Sequence, residues 1–207
     1  MILPPFYPIV SSVETAEILL EAGARIIQYR QKAFFSRSAF DQAVRIGDLC
    51  CRAGALFVIN DRADVALLLH AALHLGQDDL APWDARRILP APAIIGLSTH
   101  NEQQLRAADS EPVDYLAIGP IFATASKENP DPVVGLDRLR ALRHLTAKPL
   151  VAIGGITREL APRVFAAGAD SVAVIGDLYP DTRARAAEWV ALSDDARGDA
   201  RVDAPRR

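Results

Sequence analysis

Three polar clusters close apolar runs in this 207-residue chain, and they hold residue types that could do chemistry. Gln28-Tyr29-Arg30-Gln31-Lys32 ends one run, Asn60-Asp61-Arg62 follows Phe57-Val58-Ile59, and Gly76-Gln77-Asp78-Asp79 closes a third. In extended chain alternate side chains share a face, so Gln28, Arg30 and Lys32 point the same way. An arginine among apolar neighbours calls for an anion. Asp61 and Asp79, from successive strand ends, can converge on a hard cation. Mg²⁺ takes one or two carboxylates and leaves its other positions to water and phosphate oxygens. Plainer readings stand beside these. The cations can be a solvated pair past a strand, Asp78 or Asp79 can cap a short helix near Pro82, and the whole group has the composition of a salt-bridge network.

Further along come residues suited to a second anion. Ser98-Thr99-His100 offers a hydroxyl donor, whereas His100 reads as a surface or capping residue, and His70, His74 and His144 show no metal spacing. Thr124, Ser126 and Lys127 bring hydroxyls and an ammonium to a long connection, as phosphate capture followed by closure requires. Gly154-Gly155 and Ile175-Gly176 close two further apolar runs, where glycine lets backbone N–H groups approach a phosphate. The sum is two anion sites. Arg30, Lys32, Lys127 and a cation on Asp61 and Asp79 suit a diphosphate, and the glycine-rich backbone suits a monophosphate. No serine or cysteine nucleophile with a base is apparent, which points to ionisation of a diphosphate leaving group.

The elements that must position these residues alternate along the chain. Strands are expected at Tyr7–Val10, Ile26–Arg30, Leu56–Asn60, Ala72–Gly76, Ile94–Ser98, Tyr115–Gly119, Leu150–Ile153 and Ser171–Ile175. Strands without a polar face suit a parallel sheet covered on both sides. Eight strand-then-helix units at this length favour a single (β/α)₈ TIM barrel, expected over residues 1–193. Ligands of such folds bind at the carboxyl ends of the strands, where every cluster named above falls. Ser38-Ala-Phe-Asp41 resembles a capping box for a helix presenting Phe40, Val44 and Cys51 on one face and stopping at Gly54. Glu14–Ala22 with Gly23 repeats the scheme, and Asn101 and Thr157 can cap later helices, the last crossed early by Pro162. Residues 123–135 lack helical period and read as an active-site lid. From Asp194 to Arg207 large apolar residues nearly vanish, so a flexible C-terminal tail is expected over 194–207.

Bulk properties narrow the partners. A formal net charge of −3 gives no general attraction to nucleic acid or membrane. No apolar run approaches the ~18 residues of a membrane span, and the first ten residues lack a secretory pattern. Adjacent Cys50 and Cys51 read as buried free thiols in a reducing compartment, so the cytoplasm is expected. The outer helix faces show no large apolar patch, which leaves both a monomer and a homo-oligomer open.

Taken together, Gln28-x-Arg30-x-Lys32, Asn60-Asp61-Arg62, His74-x-Gly76-Gln77-Asp78-Asp79, Gly96-x-Ser98, Gly119-Pro120-Ile121-Phe122-x-Thr124-x-Ser126-Lys127 and Ile153-Gly154-Gly155-Ile156 resemble the thiamine-phosphate synthase family. The likeness runs from about Tyr7 to Tyr179. It implies a (β/α)₈ transferase that joins 4-amino-2-methyl-5-(diphosphooxymethyl)pyrimidine to a thiazole phosphate, giving thiamine phosphate and pyrophosphate; in many members the thiazole carries a carboxyl group that is lost as CO₂ after coupling. The resemblance further implies that Gln28, Arg30, Lys32, Asn60, Ser98 and Lys127 contact the pyrimidine diphosphate. Thr124, Ser126, Gly155, Ile175 and Gly176 would receive the thiazole phosphate, and Asp61 and Asp79 would bind Mg²⁺. Arg30, Lys32 and Lys127 would stabilise the departing charge. The related thiazole tautomerase would lack both aspartates and carry histidine at Pro120. Two departures stand out: Gly176 replaces a common serine, and Tyr29 replaces an aliphatic residue and is expected to add bulk beside the substrate-facing strand.

Overall fold

The computed structural model describes residues 1–32, 34–124 and 131–202, the side chains of 194–202 excepted. Eight parallel strands close into a barrel in sequence order: β1 (Phe6–Val10), β2 (Ile26–Tyr29), β3 (Leu56–Asn60), β4 (Ala72–Leu75), β5 (Ile95–Thr99), β6 (Tyr115–Ile118), β7 (Leu150–Ile153) and β8 (Ser171–Val174). Each lies within one residue of its expected bounds. β1 closes on β8, with Tyr7 beside Ala173, so none of these eight strands is left at an edge. Arg30 lies just past β2, yet its N–H still donates to Val10 O at 2.8 Å, which keeps the inward alternation Gln28, Arg30.

Alternation divides the core in two. Tyr7, Ile9, Ile26, Val58, Ala72, Tyr115, Ala117, Val151 and Ala173 fill the barrel. Phe6, Ile27, Tyr29, Ile59, Leu73 and Ile95 belong to a second cluster, packed against residues of the outer helices. Tyr29 therefore adds its bulk on the helix side, edge-on to Phe35 at 6.4 Å, and not beside the substrate-facing strand as expected.

Among the described residues the helices are α1 (Val13–Glu21), α2 (Arg37–Ala53), α3 (Ala63–Leu68), α4 (Pro82–Ile88), α5 (Glu102–Asp109), α6 (Gly135–Arg143), α7 (Ala161–Ala166) and α8 (Thr182–Val202), with one 3₁₀ turn at Gly176–Leu178. Asn101 caps α5 as expected, its carbonyl accepting from Gln104 N–H. The cap of α2 is Ser36 rather than Ser38, its Oγ accepting from Ala39 N–H, while Gly54 ends the helix in the left-handed conformation. The buried face is correspondingly Ala39, Ala43, Ile46 and Cys50, one position from the expected Phe40, Val44 and Cys51. Small residues let α2 lie close to the sheet, and the larger Phe40 covers the flank. Only Cys50 is buried; Cys51 is exposed, and both are free thiols.

Thr157 does not cap α7. It opens a turn whose carbonyl accepts from Leu160 and Ala161, and Pro162 then falls in the first helical turn, where no backbone donor is lost. Helical backbone in α8 crosses Asp194, where composition places the end of the barrel, and runs to Val202. α8 is held by Trp189, which stacks on Phe6 at 5.3 Å and donates from Nε1 to Asp177 at 2.9 Å. Among the described residues no helix is long and apolar enough to cross a membrane.

Candidate active site

The polar residues gather at the carboxyl-terminal rim. Inside the mouth, Gln28 is 2 % exposed and donates from Nε2 to Asn60 Oδ1 at 3.3 Å, joining β2 to β3. Arg30 is half-buried above Gln28, and Lys32 is exposed on the connection beyond. Asp61 begins the next connection with φ 64°, a left-handed conformation that aspartate tolerates better than most residues. Its N–H donates to His74 O at 2.8 Å, which fixes the turn against β4.

Asp79 is brought to Asp61 by a second turn. Its Oδ2 accepts from Gly76 N–H at 2.7 Å, and the two carboxyls lie within hydrogen-bonding reach of each other. Neither Asp78 nor Asp79 caps α4, whose cap is Ala81 without a side-chain bond, so the capping alternative falls away. The Asp61 carboxyl is pushed up to about 7, first by desolvation and then by Asp79, while Arg30 and Asn60 pull it down. Both aspartates remain exposed at the mouth, so facing Asp79 is the firmer of the two causes. Two carboxylates in contact repel unless a proton or a cation lies between them. Hard oxygen donors in a pair, open to solvent on one side, fit Mg²⁺, which keeps water and phosphate in its other positions. Among the described residues no cluster of three or more His, Cys, Asp or Glu could hold a metal.

The opposite side of the rim is backbone. Gly154 and Gly155 have φ of 99° and 64°. A Cβ on Gly155 would sit 2.3 Å from Ala123 O, so the connection after β6 rests directly on this turn. Ile121 and Phe122 N–H donate to Ile153 O and Gly154 O at 2.9 and 3.0 Å, which brings half-buried Thr124 to the same side. Ser126 and Lys127 lie outside the described residues. Ile175 is half-buried, and Gly176 is exposed with open space where a Cβ would be.

Sequence reasoning passed over what stands below the mouth. His74 Nε2 lies 2.8 Å from Ser98 Oγ, His74 Nδ1 lies 2.9 Å from Tyr115 Oη, and Tyr115 Oη lies 2.8 Å from Tyr7 Oη. Burial pushes His74 down to about 4, so the ring is neutral near pH 7, and it holds both tyrosines well above their ordinary range. The inward alternation Ala72, His74, Gly76 was available as a signal, and so was the smallness of Gly96. A Cβ there would lie 2.0 Å from Tyr115 Cζ. Arg62, the third member of its motif, pairs with Asp64 and places its guanidinium 4.9 Å from the Phe35 ring, which ties the β2 and β3 connections together. His100 is structural: Nδ1 approaches Gly119 O at 2.7 Å and Asp131 Oδ2 at 3.5 Å.

The family model described as thiamine monophosphate synthase matches residues 6–178. This chain belongs to the thiamine monophosphate synthase family. It is 52 % identical over 178 residues to the thiamine-phosphate synthase of Koribacter versatilis, covering 86 % of this chain and 84 % of that one. The Pelotomaculum thermopropionicum thiamine-phosphate synthase is 39 % identical over 169 residues, covering 81 % and 78 %. Among solved structures, thiamine phosphate pyrophosphorylase from Pyrococcus furiosus superposes with a TM-score of 0.85 at 31 % identity, covering 93 % of this chain and 96 % of that one. For a member of the thiamine monophosphate synthase family, the matched span takes in every strand and the 3₁₀ turn after β8.

Proposed function

We propose that this chain is a thiamine-phosphate synthase, a transferase that moves a pyrimidinylmethyl group from diphosphate to a thiazole phosphate. The observation that carries the reading is the meeting of Asp61 and Asp79 beside Arg30, on the same rim as the Gly154-Gly155 turn. Gln28, Arg30, Lys32, Asn60, Ser98 and Lys127 bind the pyrimidine diphosphate in this reading, and Thr124, Ser126, Gly155, Ile175 and Gly176 receive the thiazole phosphate. Asp61 and Asp79 would hold Mg²⁺, which when bound supplies positive charge to the diphosphate oxygens. The proposed location is the cytoplasm.

The residues divide the work by charge. Arg30, Lys32 and Lys127 stabilise negative charge that grows on the leaving diphosphate as its C–O bond breaks. The electron pair of that bond departs with pyrophosphate, and the thiazole nitrogen supplies the pair for the new C–N bond. The closely packed barrel interior keeps water from the cation formed between the two events. Among the described residues no side chain is needed as nucleophile or base, in keeping with a neutral His74 and a His100 bound to backbone. Supplying both substrates with Mg²⁺ is expected to yield thiamine phosphate and pyrophosphate in equal amounts, and Asp61→Ala to yield neither. Absence of product from the intact protein, or full turnover by that variant, refutes the proposal.

A further inference from the structure

The hydrogen-bonded row beneath the mouth has a direction. Tyr7, Tyr115, His74 and Ser98 are joined by three contacts, and with a neutral imidazole they carry four exchangeable protons. One proton is therefore left over, and it must stand at one end of the row. At the inner end is the Tyr7 hydroxyl, in a residue 1 % exposed, whose hydroxyl meets Tyr115 and no other polar partner among the described residues. At the outer end is half-buried Ser98, at the carboxyl-terminal end of β5. Leaving a buried O–H without an acceptor forfeits its hydration with nothing in return. The favoured order is thus Tyr7 O–H to Tyr115, Tyr115 O–H to His74 Nδ1, and His74 Nε2–H to Ser98 Oγ. The Ser98 proton is then free to leave the row.

We propose that Tyr7, Tyr115 and His74 are positioning residues forming a one-way relay that presents Ser98 to the pyrimidine substrate as a hydrogen-bond donor, matched to a ring-nitrogen lone pair rather than to an amino group. The geometry is built for this. Tyr115 is fully buried, its ring occupies the space a side chain at position 96 would take, and it stacks on His74 at 5.5 Å. The two rings thus lie against each other, 25° from parallel. The serine's role is thereby set by a tyrosine on the far side of the barrel, at the start of the chain.

The relay rests on the proposed substrate, so its test reads both the protein alone and turnover. In the full chain labelled with ¹⁵N-histidine and free of substrate, His74 is identified by the signal lost in His74→Gln. Its Nε2 is expected to be protonated and its Nδ1 bare; the opposite tautomer overturns the relay whatever the enzyme makes. In turnover, Tyr115→Phe and Ser98→Ala are each expected to lower kcat/KM for the pyrimidine diphosphate by on the order of tenfold, the worth of one hydrogen bond. Because one acts through the other, the double variant is expected to fall no further than Ser98→Ala. Multiplying effects, on the order of a hundredfold, overturn the proposal. His74→Gln keeps a donor facing Ser98 and is expected to retain activity within about threefold, whereas His74→Leu falls as far as Ser98→Ala. Equal losses in the two His74 variants refute it. If the intact protein forms no thiamine phosphate, the functional reading fails and the tautomer still decides the relay.

Discussion

Replacing Asp61 by asparagine is expected to stabilise the metal-free protein while abolishing its activity. The carboxyl moves from its ordinary 3.8 to about 7 in the fold, driven by desolvation and by Asp79. At about 1.36 kcal/mol per tenfold in acidity, that corresponds to roughly 4 kcal/mol, an upper bound. The side chain is exposed at the mouth, so solvent screening reduces the effect to about 1 kcal/mol. The sign follows from proton linkage. The folded carboxyl holds its proton more tightly than the unfolded one, so the penalty is absent below about pH 4. It grows as pH rises and is complete above about pH 7. Asparagine carries no charge and accepts the left-handed backbone at φ 64°, so it removes the repulsion without adding strain. The assay is thermal unfolding in EDTA. Asp61→Asn is expected to melt about 2–4 °C above the parent at pH 8, as ~1 kcal/mol gives in a domain of this size, and together with it below pH 4. Added Mg²⁺ at pH 8 is expected to raise the parent and not the variant. Equal melting at pH 8, or a gain that persists below pH 4, refutes the facing-carboxylate argument.

Three other substitutions test the rim and the row beneath it. Gly155→Ala puts a methyl 2.3 Å from Ala123 O in a left-handed backbone, and is expected to cost about 1–3 kcal/mol and raise KM for the thiazole phosphate, read by unfolding and steady-state kinetics. Gly96→Ala collides with the Tyr115 ring at 2.0 Å; a loss of at least about 1–3 kcal/mol in denaturant unfolding is expected, and a variant as stable as the parent contradicts the packing. Gly176→Ser meets nothing within 4 Å, so a melting temperature within about 2 °C of the parent is expected, with KM for the thiazole phosphate equal or lower.

Much of this was legible beforehand because a parallel strand buried on both faces is a short apolar run whose end is marked by polarity. Leu56–Asn60 and Leu150–Ile153 coincide with their expected bounds for that reason. Asp61 and Asp79 could be expected on one rim because strand ends of a barrel share it, and their carboxyls do meet there. Position around the cylinder was not legible. That Tyr7 reaches Tyr115, and Tyr115 reaches His74, depends on barrel closure and on the gap left by Gly96, neither of which a linear pattern encodes. The face of α2 was misread because alanines took the buried positions, and hydrophobic periodicity weighs large residues most. Ser36 and Ser38 are equal candidates by type; Ser36 has the extended backbone of a cap and accepts from Ala39 N–H, and Ser38 lies inside the helix.

The join between first and last strands bears on biosynthesis. Val172 N–H donates to Pro5 O, and Ser171 Oγ–H to Pro4 O, so β1 waits for a segment 167 residues further along before its second neighbour exists. While a ribosome is still extending the chain, the incomplete sheet carries two raw margins of unpaired amides, the kind that recruit strands from other molecules. Contacts so distant along the chain are also slow to form. Shielding of the nascent chain until that seam zips shut is thus expected to raise yield in a cell.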